Sequence, residues 1–486
     1  MSYNWKRFWC PREGSFSLSD GGYLYKPDSD KYNIYNPEVV PFDSIAEIPC
    51  LILLGEPGIG KTSAMKAERE AIDKKVESEG DKTLWLNLSS YSSEDRLIHN
   101  LFENKTFVSW EKGEYRLHIF LDSLDECLLR IDNLASLLID ELEKYPVERL
   151  YLRIACRTAY WKNKLEDRFK KIWGKNEVNV YELVPLRRID VIEAAEDNDL
   201  DATVFLSEID RKNAVPFAIK PITLKFLINS YSKNGQLPDD QTELYSEGCR
   251  CLCEEINEDR PENARKLAPE QRLIIASRIA AITIFSKRYA IWTGTDLGDV
   301  PEEDVKIQRL SGGNESFDNN RFDVTVEAIR ETLDTGLFSS RGPNRIGWAH
   351  QTYAEYLAAR YLVQHDMPLA QITSLITHPG DPEGKLIPQL HGTAAWLSTM
   401  SDDVFRHIMR VDPYVLLRSD LRNVDNKYKE TIIDMLLKLY DGDCLPYPDW
   451  QDIGLYDKLS HPRNMLNKVL RFARMVDGQI IINTKT

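Results

Sequence analysis

Between Leu51 and Glu68 the chain reads LILLGEPGIGKTSAMKAE: four apolar residues, a glycine-rich turn, then a helical pattern. Gly55, Glu56, Pro57, Gly58, Ile59, Gly60, Lys61 and Thr62 fit the spacing G-x-x-x-x-G-K-[ST], and Ser63 follows. The residue types explain the chemistry. Glycines let consecutive backbone N–H groups curl around an anion, and the following helix aims its positive N-terminal end at the same place. Lys61 is long enough to reach the β- and γ-phosphates of a nucleotide, and the Thr62 hydroxyl can take a place on Mg2+. Phosphate binding with a divalent ion is the expectation.

A phosphate loop of this kind needs an acidic strand beside it, and RLHIFLDSLDE supplies one. Leu117 to Leu121 are mostly apolar, as a buried parallel strand requires. Asp122 then stands at the strand's carboxyl end, where such sheets bind ligands, and is expected to contact Mg2+. Asp125 and Glu126 follow within one turn, and either could orient an attacking water. Either of them alone reads as part of a solvated acidic loop; behind a P-loop at this separation, the functional reading holds for Asp122. A third strand, RLYLRIAC, ends in Arg157, and a guanidinium at a strand tip suits charge-assisted sensing of a γ-phosphate. TLWLNLS (83–89) and NVYELVPL (179–186) complete a five-stranded parallel sheet, with helical stretches between the strands as right-handed crossovers.

The second half reads differently. Val326, Ile329 and Leu333 recur at helical spacing and Gly336 stops that helix. SSRGPNRIGWA reads as a hairpin turning at Gly342-Pro343-Asn344, and Tyr353, Leu357 and Tyr361 form one helix face. Helix, hairpin, helix predicts a winged helix, and EAIRETLDTGLF carries too few cations to read a DNA groove. Beyond residue 365, KLIPQLHGTAAWLSTM, DDVFRHIMR and NKYKETIIDMLLKLY are short amphipathic helices between turns with Asp and Pro. They predict an α-helical repeat array of irregular period, a type of surface used for interaction. The tail GQIIINTKT lacks the polar cap such arrays need, so the chain is expected to be part of a longer protein.

Four separated stretches share a resemblance. FLDSLDE, with a small residue after the Mg2+ aspartate and two acids beyond it, resembles the NACHT branch of the STAND NTPases. ELVPL after the last strand is similar, as are IKPITLKFL with GQLPDDQTELY and LDTGLFSSRGPNRIGWAHQTYAEYLAARYL. The resemblance runs over roughly residues 45 to 365. It implies that Pro221 packs near an adenine and that His350 touches the β-phosphate of bound ADP; Trp348 stands where phenylalanine is more usual. It implies ATP or ADP with Mg2+ as ligands, slow Mg2+-dependent ATP hydrolysis, an ADP-held closed state and ATP-driven self-association. A separate effector or trigger protein would bind the C-terminal repeats, in an antiviral (anti-phage) setting. The expected organisation is an N-terminal extension (1–45), a P-loop nucleotide-binding domain (46–190), a helical domain (191–265), the winged helix (266–364) and the repeat region (365–486).

Composition narrows the alternatives. At 486 residues the chain exceeds one ordinary core. Its 42% apolar and 29% charged content describes a soluble protein, and its formal charge of −15 opposes a broad nucleic-acid surface. No long apolar run predicts a membrane span, MSYNWKRFWC lacks a signal-peptide core, and eight unpaired-looking cysteines fit a cytoplasmic, reducing compartment. Cys249, Cys251 and Cys253 fall in a helical stretch that turns them to different faces, which opposes a metal site. Residues 1–45 carry hairpin-like alternation in FSLSDGGYLYKPDS and no nuclease, TIR or protease motif, so no effector is expected there. The rival to a switch is a nucleotide-bound scaffold with little turnover. A motor acting on nucleic acid finds no helicase motif and no basic, aromatic-rich channel.

Overall fold

The computed structural model describes residues 5–29, 33–88, 91, 94–125, 134–161, 163–254, 267–294, 300–318, 320–342, 344–421, 424–441, 473–476 and 479–482. The chain divides into two units, Met1–Ala276 with Tyr289–His350, and Ser277–Arg288 with Gln351–Thr486.

The first unit is built on one sheet. Its strands are β1 (Phe8–Pro11), β2 (Val40–Pro41), β3 (Cys50–Gly55), β4 (Lys82–Asn87), β5 (Leu117–Asp122), β6 (Leu150–Arg157) and β7 (Val178–Leu183). Every residue of β3, β5 and β6 is buried, as central parallel strands covered on both faces must be. The spatial order is β2-β1-β7-β3-β6-β5-β4, and the pairs from β7 to β4 are parallel. Those are the five strands legible in the sequence. The sequence reading stopped at five, however, and the sheet has seven among the described residues. The N-terminal segment adds the other two: β1 runs antiparallel to β7, pairing Trp9 with Leu183, and β2 runs antiparallel to β1.

Alternation along the strands sorts the core into two layers. Cys50, Ile52 and Leu54 face one side with Leu97, Phe107, Trp110, Leu138 and Phe169. Leu51 and Leu53 face the other, with Trp9, Phe42, Met65 and Phe120. The helix Lys61–Glu79 supplies Met65 to that second layer, so the loop before it is fixed at both ends by buried side chains.

Helices Arg188–Glu196, Ala202–Arg211, Pro221–Asn234 and Gln241–Cys253 follow the sheet. Their ends obey local chemistry: Asp201 and Asp240 accept from backbone N–H groups at the next helix's start, and Gly235 closes a helix at φ 70°. Cys249 and Cys253 are buried in the last of these helices, and Cys251 is half-buried. The helix Val326–Leu333 then leads into a hairpin, β12 (Phe338–Ser340) with β13 (Arg345–Trp348). Gly342 and Asn344 turn it at φ 106° and 59°, while Pro343 lies outside the described residues. Two strands not read from the sequence, β8 (Ala290–Trp292) and β9 (Asp304–Lys306), extend it to the order β12-β13-β8-β9, while β10 (Asn314–Phe317) and β11 (Asn320–Asp323) pair with each other.

The second unit contains helices Gln351–Gln364, Leu369–Ile376, His391–Met400, Asp402–Val411 and Asn426–Asp441. Tyr356 meets Trp396 edge-on at 5.1 Å, and the absence of a side chain at Gly392 admits the Glu355 carboxylate. The tail departs from the helical expectation with a hairpin, Ala473–Val476 against Gln479–Ile482. No helix among the described residues is long and apolar enough to cross a membrane.

Candidate functional site

β3 ends at Gly55 and the helix begins at Lys61, so five residues must turn the chain through a tight loop. Gly58 and Gly60 take φ 74° and 94°, which a side chain would resist. At Gly60 space matters too: a Cβ there would lie 2.9 Å from Nη1 of Arg7 and 3.5 Å from Cγ of Pro221. The first turn of the helix contains no acidic residue, leaving its positive end open to an anion. Lys61 turns back over the loop, its Nζ donating to Gly55 O at 2.6 Å and Glu56 O at 3.0 Å. Burial lowers its pKa, with Asp125 opposing and Arg157 reinforcing that shift. These three charges therefore share one small volume.

The acidic strand meets this loop directly. The Thr62 hydroxyl donates to Oδ1 of Asp122 at 3.2 Å. Burial raises the Asp122 pKa, although the Thr62 hydrogen bond and Lys61 pull it down. A hydroxyl and a carboxylate in contact beside a buried lysine are hard oxygen donors of the kind Mg2+ selects. Together with the glycine cradle, they fit a nucleotide phosphate with its metal. Thr62 and Asp122 would hold the ion, which supplies charge neutralisation at the phosphates.

Ser123 follows Asp122 at φ 61°, a left-handed turn in a residue other than glycine. That turn sends the chain inward. Asp125 is 2% exposed, accepts from the backbone N of Arg157 at 2.9 Å and pairs with its Nε at 3.0 Å. Arg157 carries a second ion pair, from Nη1 to Oδ2 of Asp334 at 2.9 Å. The sequence placed Asp125 and Arg157 in separate roles; the structure brings them into contact. Glu126 lies outside the described residues.

Pro221 also comes to the loop, and His350 lies near Lys220. Pro221 is the neighbour of Gly60 noted above, at the first position of its helix. His350 is held down to a pKa of about 4, by burial first and by the Lys220 cation second. It is neutral at physiological pH and lies within electrostatic reach of Lys220. Lys220, 4% exposed, pairs with the Glu56 carboxylate in the P-loop and donates to Gly336 O at 2.7 Å. A small, partly open pocket beside these groups is lined by Glu56, Pro57, Arg157, Asp334, Phe338 and Ile346 among others.

Three participants escaped the sequence reading. Arg7, 7% exposed, donates to Ile59 O in the P-loop and to Val184 O, both at 2.8 Å. Burial, the larger effect, lowers its pKa to about 10. Its only sequence signal is a cation between Trp5 and Trp9 on one side of an alternating stretch. Lys220 precedes a helix-starting proline, and Asp334 follows a helix end; neither position implies chemistry by itself.

No family model and no curated protein matches this chain. Among solved structures it is similar to Orc1 of Aeropyrum pernix in complex with DNA, at 14% identity over 66% of this chain and 92% of that one, with a TM-score of 0.30. RuvB of Thermotoga maritima is similar at 12% identity over 63% and 87%, with a TM-score of 0.31. AMPPCP-bound DnaA from Aquifex aeolicus is similar at 15% identity over 47% and 73%, with a TM-score of 0.28. At that overlap it is the chain's own strand order and loop geometry that carry the P-loop fold.

Proposed function

We propose that this protein is a nucleotide-dependent switch: it binds ATP or ADP with Mg2+, hydrolyses ATP slowly and changes its association state with the nucleotide. The observation that carries the reading is the meeting of Lys61, Thr62 and Asp122 with Arg157 at one end of the parallel sheet. Lys61 would neutralise phosphate, Thr62 and Asp122 would hold Mg2+, and Arg157 would answer to a third phosphate. Lys220 and His350 support a second layer. Lys220 joins the segment after the helix Val326–Leu333 to the P-loop's own Glu56, and His350 lies within its electrostatic reach, as an ADP-held clamp requires.

The winged helix, the ATP-driven self-association, an effector or trigger bound by residues 365–486 and a role in antiviral defence are extensions of this reading. They draw on the resemblance to NACHT proteins. Slow turnover is supported by Asp125, whose carboxylate is occupied by Arg157.

The test compares ADP off-rates by chase of a fluorescent analogue, and light scattering with ADP or ATP. His350→Ala should release ADP about tenfold faster or more, since a hydrogen bond to a charged acceptor is worth roughly 1.5–3 kcal/mol. It should also raise scattering with ATP, and Lys61→Ala should abolish both binding and association. Unchanged off-rate and scattering in His350→Ala would remove the clamp. A wild type that binds nucleotide but stays monomeric with ATP would favour the scaffold.

A further inference from the structure

Arg157 is surrounded by more negative charge than it needs. Its guanidinium, 7% exposed, pairs with Asp125 on one side and Asp334 on the other, and both carboxylates are buried. The two acids have different origins. Asp125 stands three residues beyond β5 and also accepts the Arg157 backbone N–H, so it is built into the strand ends. Asp334 comes from the C-terminal end of the helix Val326–Leu333, far later in the chain, and its backbone carbonyl also accepts from Arg157. Asp125 alone would compensate the guanidinium. Asp334 adds a second anion at the place where the phosphate-binding lysine also lies within electrostatic reach.

We propose that Asp334 sets the preference of this site between nucleoside diphosphate and triphosphate, by holding the guanidinium that a third phosphate must recruit. The inference rests on reading the Lys61 loop as a nucleotide site. A diphosphate leaves the Arg157–Asp334 pair intact. A triphosphate brings further negative charge toward Arg157, and two anions competing for one buried cation repel each other. One of them must yield. Asp334 is the movable one, because it starts the short segment Asp334–Leu337 that joins the helix to β12. That segment is also anchored by Gly336 N to Leu252 O at 2.9 Å, Lys220 to Gly336 O at 2.7 Å and Ala349 N to Leu337 O at 2.9 Å. Triphosphate binding and displacement of the segment are thereby linked, and the linkage is reciprocal: whatever loosens the segment favours triphosphate.

The experiment uses the full chain with Mg2+, titrated calorimetrically with ADP and with the non-hydrolysable β,γ-methylene analogue of ATP. Asp334→Asn keeps the shape and an acceptor oxygen but removes the charge. The ratio of analogue affinity to ADP affinity should rise roughly tenfold or more, the scale of one charge-assisted contact, while ADP affinity stays within about threefold. Asp334→Glu, which restores the charge, should keep the wild-type ratio. An unmoved ratio in Asp334→Asn, or equal losses for both ligands, overturns the proposal. Hydrogen exchange on the wild type gives a reading that needs no variant: amides of residues 334–340 should exchange faster with the analogue than with ADP. Equal protection by both ligands overturns it as well. Wild-type protein that binds neither ligand would sink the nucleotide site itself, and the role of Asp334 with it. Binding of both with an unmoved ratio sinks only Asp334.

Discussion

Lys220 and Glu56 offer a direct measurement of how firmly distant segments hold the P-loop. The Lys220 side chain is 5% exposed and Glu56 20%, and the same ammonium serves Gly336 O. Lys220→Met keeps the apolar stem but leaves the carboxylate and the carbonyl without their donor. Breaking a fully buried pair costs about 3–5 kcal/mol, and the partial hydration open to Glu56 lowers the expectation to about 2–3 kcal/mol. Glu56→Gln leaves an acceptor for Lys220 and should cost about 1 kcal/mol. In the double variant the two losses should overlap by about 1–2 kcal/mol. Urea unfolding without nucleotide measures all four corners of the cycle. Additivity within about 0.5 kcal/mol would refute the pairing as an energetic link.

The same variant has a spectroscopic consequence. His350 is held at a pKa of about 4 by burial first and Lys220 second. Without the Lys220 cation the imidazole should titrate higher, yet still below the usual histidine value because burial remains. The sign for stability follows from the folded pKa lying below the unfolded one. As pH falls from about 6.5 towards 4, the unfolded chain takes up a proton that the folded chain refuses, so stability falls across that window. Lys220→Met should narrow the window. An NMR titration in which His350 does not move would remove Lys220 from its surroundings.

Two further outcomes are expected. Asp122→Asn should leave metal-free ADP affinity within about threefold of wild type, because the amide can still accept from Thr62, but should abolish the gain in affinity that Mg2+ gives; calorimetry with and without Mg2+ decides it, and an undiminished Mg2+ effect would release Asp122 from the metal site. His118, 8% exposed on β5, is held at a pKa of about 4 by burial first and Arg153 second, with Arg116 also lowering it and Asp81 and Asp73 opposing. Its refusal of a proton weakens the folded state from pH 6.5 down to about 4, by up to roughly 2–3 kcal/mol. His118→Phe should flatten the loss of stability between pH 7.5 and 5, and a stability difference that is the same at both pH values would count against it.

The parts of this molecule legible in the sequence are those whose causes are local. Continuous apolar runs are a local signal, and β3, β5 and β6 stand where Leu51–Leu54, Leu117–Leu121 and LYLRIAC fall. The glycines at 58 and 60 announce a turn through their own backbone freedom, and Lys61, Thr62 and Asp122 meet because strand order brings the loop beside β5's end. β1 and β2 were hidden for the opposite reason. A four-residue strand and a two-residue strand carry no period, and only the exposed edge of β7 tells them where to pair. Lys220, Arg7 and Asp334 escaped similarly: a single charge shows nothing in sequence until its partner, between 52 and 177 residues away, is known.

Those three hidden charges share a physical task. A loop with residues at positive φ has few hydrogen bonds of its own; the N–H groups that would hold an anion cannot also hold the loop. Its shape must be fixed from outside. Arg7 binds the Ile59 carbonyl, and Lys220 binds the Glu56 carboxylate. Arg157, whose residue pairs across the sheet with Gly55, fastens the strand ends to Asp334. Each cation joins the phosphate loop to a different stretch of chain: the N-terminal segment, the helices after the sheet and the segment before β12. Preorganisation of the loop and its coupling to those segments are therefore one property. An anion bound in the loop shares a local field with all three cations, so its charge alters how firmly each remote segment is held.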